Sequence, residues 1–222
     1  MLRVGLTGEL GSGKSTAARM LAERGAVVLS SDEMARTMMQ PGHTVYAEIV
    51  AAFGSEVVAA DGTLDRAKLA ALAFDAKQPR IEELNAIVHP AVIEAQVAKL
   101  EELARTTPDA IVVVESALIF STQHARRGNW RGRFDCILLV ETPEAEKIAR
   151  FVYRLAAGRE ISLQERDGFE EDARRRLQIQ HKTAFPGDCL VLHNDGDVES
   201  LEQQVAVVWE QLVQMEIAGR KG

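Results

Sequence analysis

Apolar positions along the chain follow two rhythms. Five short runs are dominated by apolar residues: Leu2 to Leu6, Ala26 to Leu29, Ala110 to Val114, Cys136 to Val140 and Cys189 to Leu192. Short runs with little polar alternation predict strands buried on both faces, as in a parallel sheet. Between them the spacing widens to three or four. Ala17, Ala18, Met20 and Leu21 form one such stripe, and Tyr46, Ile49, Val50 and Phe53 form another. A last stripe runs through Leu201, Val205, Val208, Leu212 and Met215, placing one helical face on the sheet. Strands alternating with helices predict an α/β fold.

Punctuation marks the element ends. Gly25 stops the first helix, and Asp61-Gly62 and Asn194-Asp195-Gly196 read as turns. Thr142 reads as a helix cap with Pro143 in the first turn behind it. From Gln40 to about Thr107 the pattern is helical without a strand, which predicts a helical substrate-side subdomain inserted into the sheet. Within it, Pro90 is expected to hold His89 out of αR geometry. The tail from Ala218 is expected to fray.

The stretch between the first strand and the first helix carries the chemistry. Gly8-Glu9-Leu10-Gly11-Ser12-Gly13-Lys14-Ser15-Thr16 fits the phosphate-binding loop pattern G-x-x-x-x-G-K-[ST] in the context that pattern requires. Glycines let consecutive N–H groups turn towards phosphate oxygens, and the helix presents its positive end to the same anion. Lys14 adds a full charge for the outer phosphates, and the Ser15 hydroxyl suits Mg²⁺. Glu9 brings a carboxylate into a loop built for a polyanion, so its side chain is expected to point away from the phosphates.

Composition narrows the partners. The 222 residues include 26 Lys and Arg against 33 Asp and Glu, a formal net charge of −7. That balance argues against a nucleic-acid surface, which needs a basic face, though not against a nucleotide in a locally charged pocket. No apolar run approaches the length of a membrane span, and the opening residues read as a strand rather than a secretion signal. A cytoplasmic enzyme is expected. The two cysteines, Cys136 and Cys189, each lie in an apolar run and read as buried thiols. No fixed-period repeat is visible, and oligomeric state is not legible in the sequence.

Two further residues stand where ligands meet open α/β sheets, at or just beyond strand ends, and a lone histidine lies in the helical segment. Asp32 follows the second strand, where it suits either a functional carboxylate or the N-cap of a helix starting at Glu33. Glu115 ends the third strand, the place of a Mg²⁺-holding acid in phosphate-loop enzymes or of an ordinary exposed terminus. His89 reads as structural or functional on spacing alone. The arginines from Arg150 to Arg176 are interleaved with acids, so most read as a solvated helix face, with one or two able to close over phosphates.

Several of these stretches together resemble the dephospho-CoA kinase family. The resemblance rests on Gly5-Leu6-Thr7-Gly8 through Thr16, Ser31-Asp32-Glu33-Met34-Ala35-Arg36 and Gly62-Thr63-Leu64-Asp65-Arg66. Leu84-Asn85-Ala86-Ile87-Val88-His89-Pro90 and Arg176-Leu177-Gln178-Ile179-Gln180, with the later Asn194-Asp195-Gly196, extend it over almost the whole chain. It implies a single domain with five parallel strands of the phosphate-loop kinase type, a helical CoA subdomain over about 33–105 and a lid over about 150–180. ATP with Mg²⁺ is the implied donor, and the ribose 3′-hydroxyl of dephospho-CoA the acceptor. Asp32 is the implied catalytic acid beside Lys14, with Arg36 and His89 on the acceptor side. Gly8, Gly11, Ser12, Gly13, Lys14, Ser15 and Thr16 are the implied ATP site, with Ser15 and Glu115 on the metal. Arg154, Arg159 and Arg166 are the lid candidates for ATP.

The chain departs from the family pattern at four places. Glu9 stands where a glycine is usual, and Ser30 where an acid precedes the catalytic one by two positions. Ala117-Leu118-Ile119-Phe120-Ser121 replaces Pro-Leu-Leu-Phe-Glu, and the lid is about ten residues longer before Arg166. The rival readings are another small-molecule or nucleotide kinase on this scaffold, and a nucleotide-binding module without catalysis. A GTPase switch is excluded, because the chain has neither D-x-x-G after the third strand nor N-K-x-D.

Overall fold

In the computed structural model, residues 1–75, 77–117, 119–120, 130–180 and 187–219 are described. The element order is β1 (Leu2–Gly8), α1 (Lys14–Glu23), β2 (Val27–Ser30), α2 (Ser31–Met38), α3 (Thr44–Phe53), α4 (Arg66–Ala73) and α5 (Ile81–Thr106). Then follow β3 (Ile111–Glu115), β4 (Cys136–Glu141), α6 (Glu144–Ala156), α7 (Leu163–Gln180), β5 (Leu190–His193) and α8 (Val198–Gly219). The five expected strands form one sheet in the order β2-β3-β1-β4-β5. β1 lies in the middle, parallel to β3 and β4, and β4 is parallel to β5.

The chain divides into two compact units. The first holds Met1–Leu29, Leu103–Phe120 and the chain from Trp130 onward. Its core joins Leu2, Val4 and Leu6 of β1 to Ala17, Ala18, Met20 and Leu21 of α1 and to Leu201, Val205, Val208 and Leu212 of α8. Full burial of each large aliphatic side chain contributes about 1.5–3 kcal/mol, so the amphipathic stripe of α8 is what pins that helix to the sheet. In the same unit α6 and α7 pack as a hairpin through Ile148, Phe151, Val152, Ala173 and Leu177. Ala157 (φ 50°) and Gly158 (φ 79°) end α6 in the left-handed region, which turns the chain towards α7.

The second unit, Ser30–Glu102, is helical. Val45, Ile49 and Phe53 of α3 meet Leu64 and Leu69, with Leu84, Ile87, Val88 and Ala91 of α5 against them. The Asp65 carboxylate caps α4 by accepting from the N–H groups of Ala67 and Lys68 at 3.1 Å. Arg80 lies over the Phe53 ring, 4.2 Å from its centroid.

Four local expectations are corrected. α5 runs through His89 and Pro90 without a break, so His89 is helical. A proline inside a helix costs about 3 kcal/mol; packing of Leu84, Ile87, Val88 and Ala91 on either side offsets it. Asp32 is not the cap of α2, because Ser30 holds that position and accepts from the Glu33 N–H at 3.4 Å. Nor does Thr142 cap α6: Pro143 occupies the N-cap without a side-chain bond, and the Thr142 hydroxyl is used elsewhere. Cys136 and Cys189 are half-buried rather than buried, since they sit at strand starts. Among the described residues, no helix is long and apolar enough to cross a membrane. Ser121 lies outside the described residues.

Candidate active site

The loop joining β1 to α1 is shaped by its glycines. Gly13 caps α1 in the left-handed region (φ 93°), and a Cβ there would lie 2.2 Å from Asn194 Nδ2. Gly11 (φ 74°) lets the loop approach α6 so closely that a Cβ would lie 2.4 Å from the Lys147 carbonyl oxygen. Gly13 has no side chain with which to cap α1, and the N–H groups of Thr16 and Ala17 donate to its carbonyl at 3.0 and 3.1 Å. A helix start without a side-chain cap is the arrangement an anion completes.

Around this cradle the polar groups are ordered by distant elements of the same unit. The Ser12 carbonyl accepts from Asn194 Nδ2 at 2.8 Å and from the Thr142 hydroxyl at 2.9 Å. The Asn194 backbone is itself held, its N–H donating to the Glu141 carbonyl at 2.8 Å. Arg150 donates to the Asn194 carbonyl at 3.1 Å and to Glu146 at 2.8 Å. Lys14 Nζ donates to the Glu9 carbonyl at 3.0 Å. The Ser15 hydroxyl donates to Glu115 Oε1 at 2.6 Å. Two hard oxygen donors at the mouth of the loop are the ligand type Mg²⁺ accepts.

Glu9 is almost buried, 7% exposed, and its carboxylate forms an ion pair with Lys147 of α6. The side chain that looked hostile to phosphate is therefore directed to a cation. Beside it a cavity of ≈ 410 Å³ opens, lined among others by Glu141, Thr142, Pro143, His193 and Asp195.

The predicted residues of the second unit occupy two helices. Asp32 and Arg36 are exposed one turn apart on α2. His89 is half-buried on α5, seven residues before Gln96 and so on the same helix face. Gln96, 5% exposed, donates to the Ser31 hydroxyl at 2.6 Å, tying that face to the first turn of α2. Of the lid arginines, Arg159 pairs with Glu165 and Arg166 with Glu170, all within the α6–α7 hairpin, and Arg154 is exposed.

Sequence reasoning passed over Thr142, Lys147 and Asn194 as site-forming groups, and left Arg150 unassigned among the lid-region arginines. Thr142 and Asn194 follow the ends of β4 and β5, the position that had singled out Asp32 and Glu115. Lys147 stands one turn before Phe151 on the apolar face of α6, and a charge on such a face was the available signal.

Comparison with known proteins fits this geometry. The profile of the dephospho-CoA kinase family matches residues 2–199. A dephospho-CoA kinase of Moorella thermoacetica is 36% identical over 212 residues, covering 96% of this chain and 92% of the relative. One of Thermobifida fusca is 37% identical over 215 residues, covering 96% of each chain. A Thermus thermophilus protein of known crystal structure superposes with a TM-score of 0.66 at 30% identity, covering 95% of this chain and 97% of the other. A dephospho-CoA kinase structure from Campylobacter jejuni, 16% identical, shares the fold with a TM-score of 0.54 over 95% of this chain and 96% of its own.

Proposed function

The chain belongs to the dephospho-CoA kinase family, and we propose the following division of labour for its transfer of phosphate from ATP to dephospho-CoA. The observation that carries it is the open amino end of α1, where a left-handed glycine replaces a side-chain cap and Lys14 and Ser15 follow at once. The loop from Gly8 to Thr16 holds the ATP phosphates on backbone N–H groups and Lys14. Ser15 and Glu115 would hold Mg²⁺, which supplies charge neutralisation to the outer phosphates when bound.

The acceptor is the ribose 3′-hydroxyl. Its oxygen forms a bond to the γ-phosphorus as the bond from that phosphorus to the bridging oxygen breaks, releasing ADP. The hydroxyl proton passes to the Asp32 carboxylate, an acid at the start of α2 that is not consumed by helix capping. Arg36, one turn on, and His89 on α5 are assigned to the acceptor, and the helical unit from Ser30 to Glu102 to its CoA portion. Lys14 brings a positive charge to the loop, so its role is to position and stabilise charge on the transferring group. Arg150 joins the lid arginines as a phosphate-side group, supported by its bond to Asn194 beside Gly13.

The test is a transfer assay with ATP·Mg²⁺ against dephospho-CoA, nucleoside monophosphates and small metabolite alcohols. Phosphate is expected on dephospho-CoA alone, and Lys14→Ala is expected to abolish transfer without unfolding the protein. Preference for another acceptor would overturn the acceptor assignment, and near-normal turnover of Lys14→Ala the loop assignment.

A further inference from the structure

Glu9 is a buried acid that the reaction does not use. It sits second in the phosphate loop, where an uncompensated carboxylate would repel the polyanion the loop exists to hold. Its partner Lys147 is equally buried, 7% exposed, and comes from the first turn of α6. Burying either charge alone is unfavourable, so the two are retained or lost together.

The pair also has a mechanical consequence. The Glu9 carbonyl accepts from Lys14 Nζ and, at 3.2 Å, from the Ser12 N–H that closes the loop. One residue therefore links α6, through its side chain, to the lysine of the loop, through its backbone. The neighbouring residue repeats the attachment: the Leu10 N–H donates to Gln180 Oε1 of α7 at 2.8 Å, and the Leu10 side chain packs on the α6–α7 core. Gly11 completes the contact by lying against the Lys147 backbone. The tip of the loop is thus seated on the helical hairpin at three successive residues.

We propose that Lys147 serves the nucleotide phosphates by neutralising Glu9, while Leu10 and Gly11 keep the loop seated on the hairpin whether or not the pair is intact. This rests on the phosphate-loop reading above. It predicts opposite signs for the two halves of the pair. Lys147→Met removes the cation paired with the Glu9 carboxylate in the loop and weakens ATP binding roughly tenfold or more. Glu9→Gln leaves the Lys147 charge uncompensated beside the loop and tightens ATP binding several-fold. Glu9→Gln with Lys147→Met removes both charges and returns ATP affinity to within about threefold of wild type.

The experiment is an ATP titration of the three variants and wild type at one salt concentration, with KM for dephospho-CoA, kcat and melting temperature measured alongside. The expected changes fall on ATP affinity, leaving KM for dephospho-CoA unmoved. A pair that only stabilises the fold would weaken ATP binding in both single variants alike, with parallel losses of melting temperature. That pattern overturns the proposal, as does wild-type ATP affinity in Lys147→Met. Should Lys147→Met fail to fold, Glu9→Gln and the double variant decide: weaker ATP binding in Glu9→Gln overturns it. Failure of the wild-type protein to bind ATP overturns the loop reading as well, so the two failures are distinguishable.

Discussion

The Ser15 hydroxyl donates a 2.6 Å hydrogen bond to Glu115 Oε1, joining the start of α1 to the end of β3 across 100 residues of chain. Both oxygens lie at carboxyl ends of adjacent parallel strands, β1 and β3, which is why the sheet order brings them together. The proposed Mg²⁺ site uses both. Glu115→Gln keeps the shape and removes the charge. The Mg²⁺ concentration for half-maximal rate should rise about tenfold or more, with ATP affinity in the absence of metal unchanged. An unaltered Mg²⁺ titration would remove Glu115 from the metal site.

Ser30 rather than Asp32 caps α2, which leaves the Asp32 carboxylate for the proposed proton transfer. Because Ser30 caps α2, Asp32→Asn should leave melting temperature and ATP affinity unchanged while turnover falls about 10²-fold or more. Ser30→Ala should do the reverse, costing about 0.5–1 kcal/mol of stability with little loss of turnover. Thermal melts and steady-state assays on the two variants separate the roles. Near-normal turnover in Asp32→Asn would leave that carboxylate without a part in proton transfer.

Asp135 meets the Arg3 guanidinium at 2.6 and 3.1 Å and accepts from the Arg3 N–H at 2.7 Å. Burial acts to raise its pKa; the hydrogen bonds from Arg3 outweigh that and hold the carboxyl below its ordinary 3.8. A depressed folded pKa contributes stability that is present above the unfolded value and disappears as pH falls through the folded one. The side chain is about one-third exposed, so solvent screening limits the pair to about 1 kcal/mol or less. Asp135→Asn should therefore be less stable than wild type at pH 7, and the gap should close below about pH 4. Denaturant melts at pH 7 and pH 3 measure this; a gap of equal size at both would contradict it.

Burial, with the neighbouring Asp135 charge adding to it, pushes the Cys136 thiol up to about 11. At pH 8 only about 0.1% of such a group is thiolate, the form that alkylates. Iodoacetamide labelling of Cys136 in the folded protein should be at least about tenfold slower than in denaturant. Peptide mass spectrometry over a time course reads the two rates, and equal rates would show the thiol to be open.

Much of the fold and part of the site were legible because they are written in local spacing. Five apolar runs marked five strands to within two residues at every end, since a strand buried on both faces leaves little room for polar residues. The phosphate loop was legible because glycine conformations, the lysine and the hydroxyl must follow one another along a single turn. The stripe of α8 was legible because one helical face packs on one sheet face.

What tertiary structure decided depends on residues far apart in sequence. Nothing near Glu9 explains an acid in the loop; its cation arrives 138 residues later, on a helix set down against Gly11. Thr142 and Asn194 carry capping and turn signals locally, yet both are drawn to the Ser12 carbonyl because β4 and β5 end beside the loop. Pro90 signals a helix break, and α5 continues because apolar contacts on both sides exceed the local cost. Periodicity sets which elements form and which face is buried. Which polar groups then meet is settled only by the sheet order, because hydrogen bonds and ion pairs act over a few ångströms of space rather than along the chain.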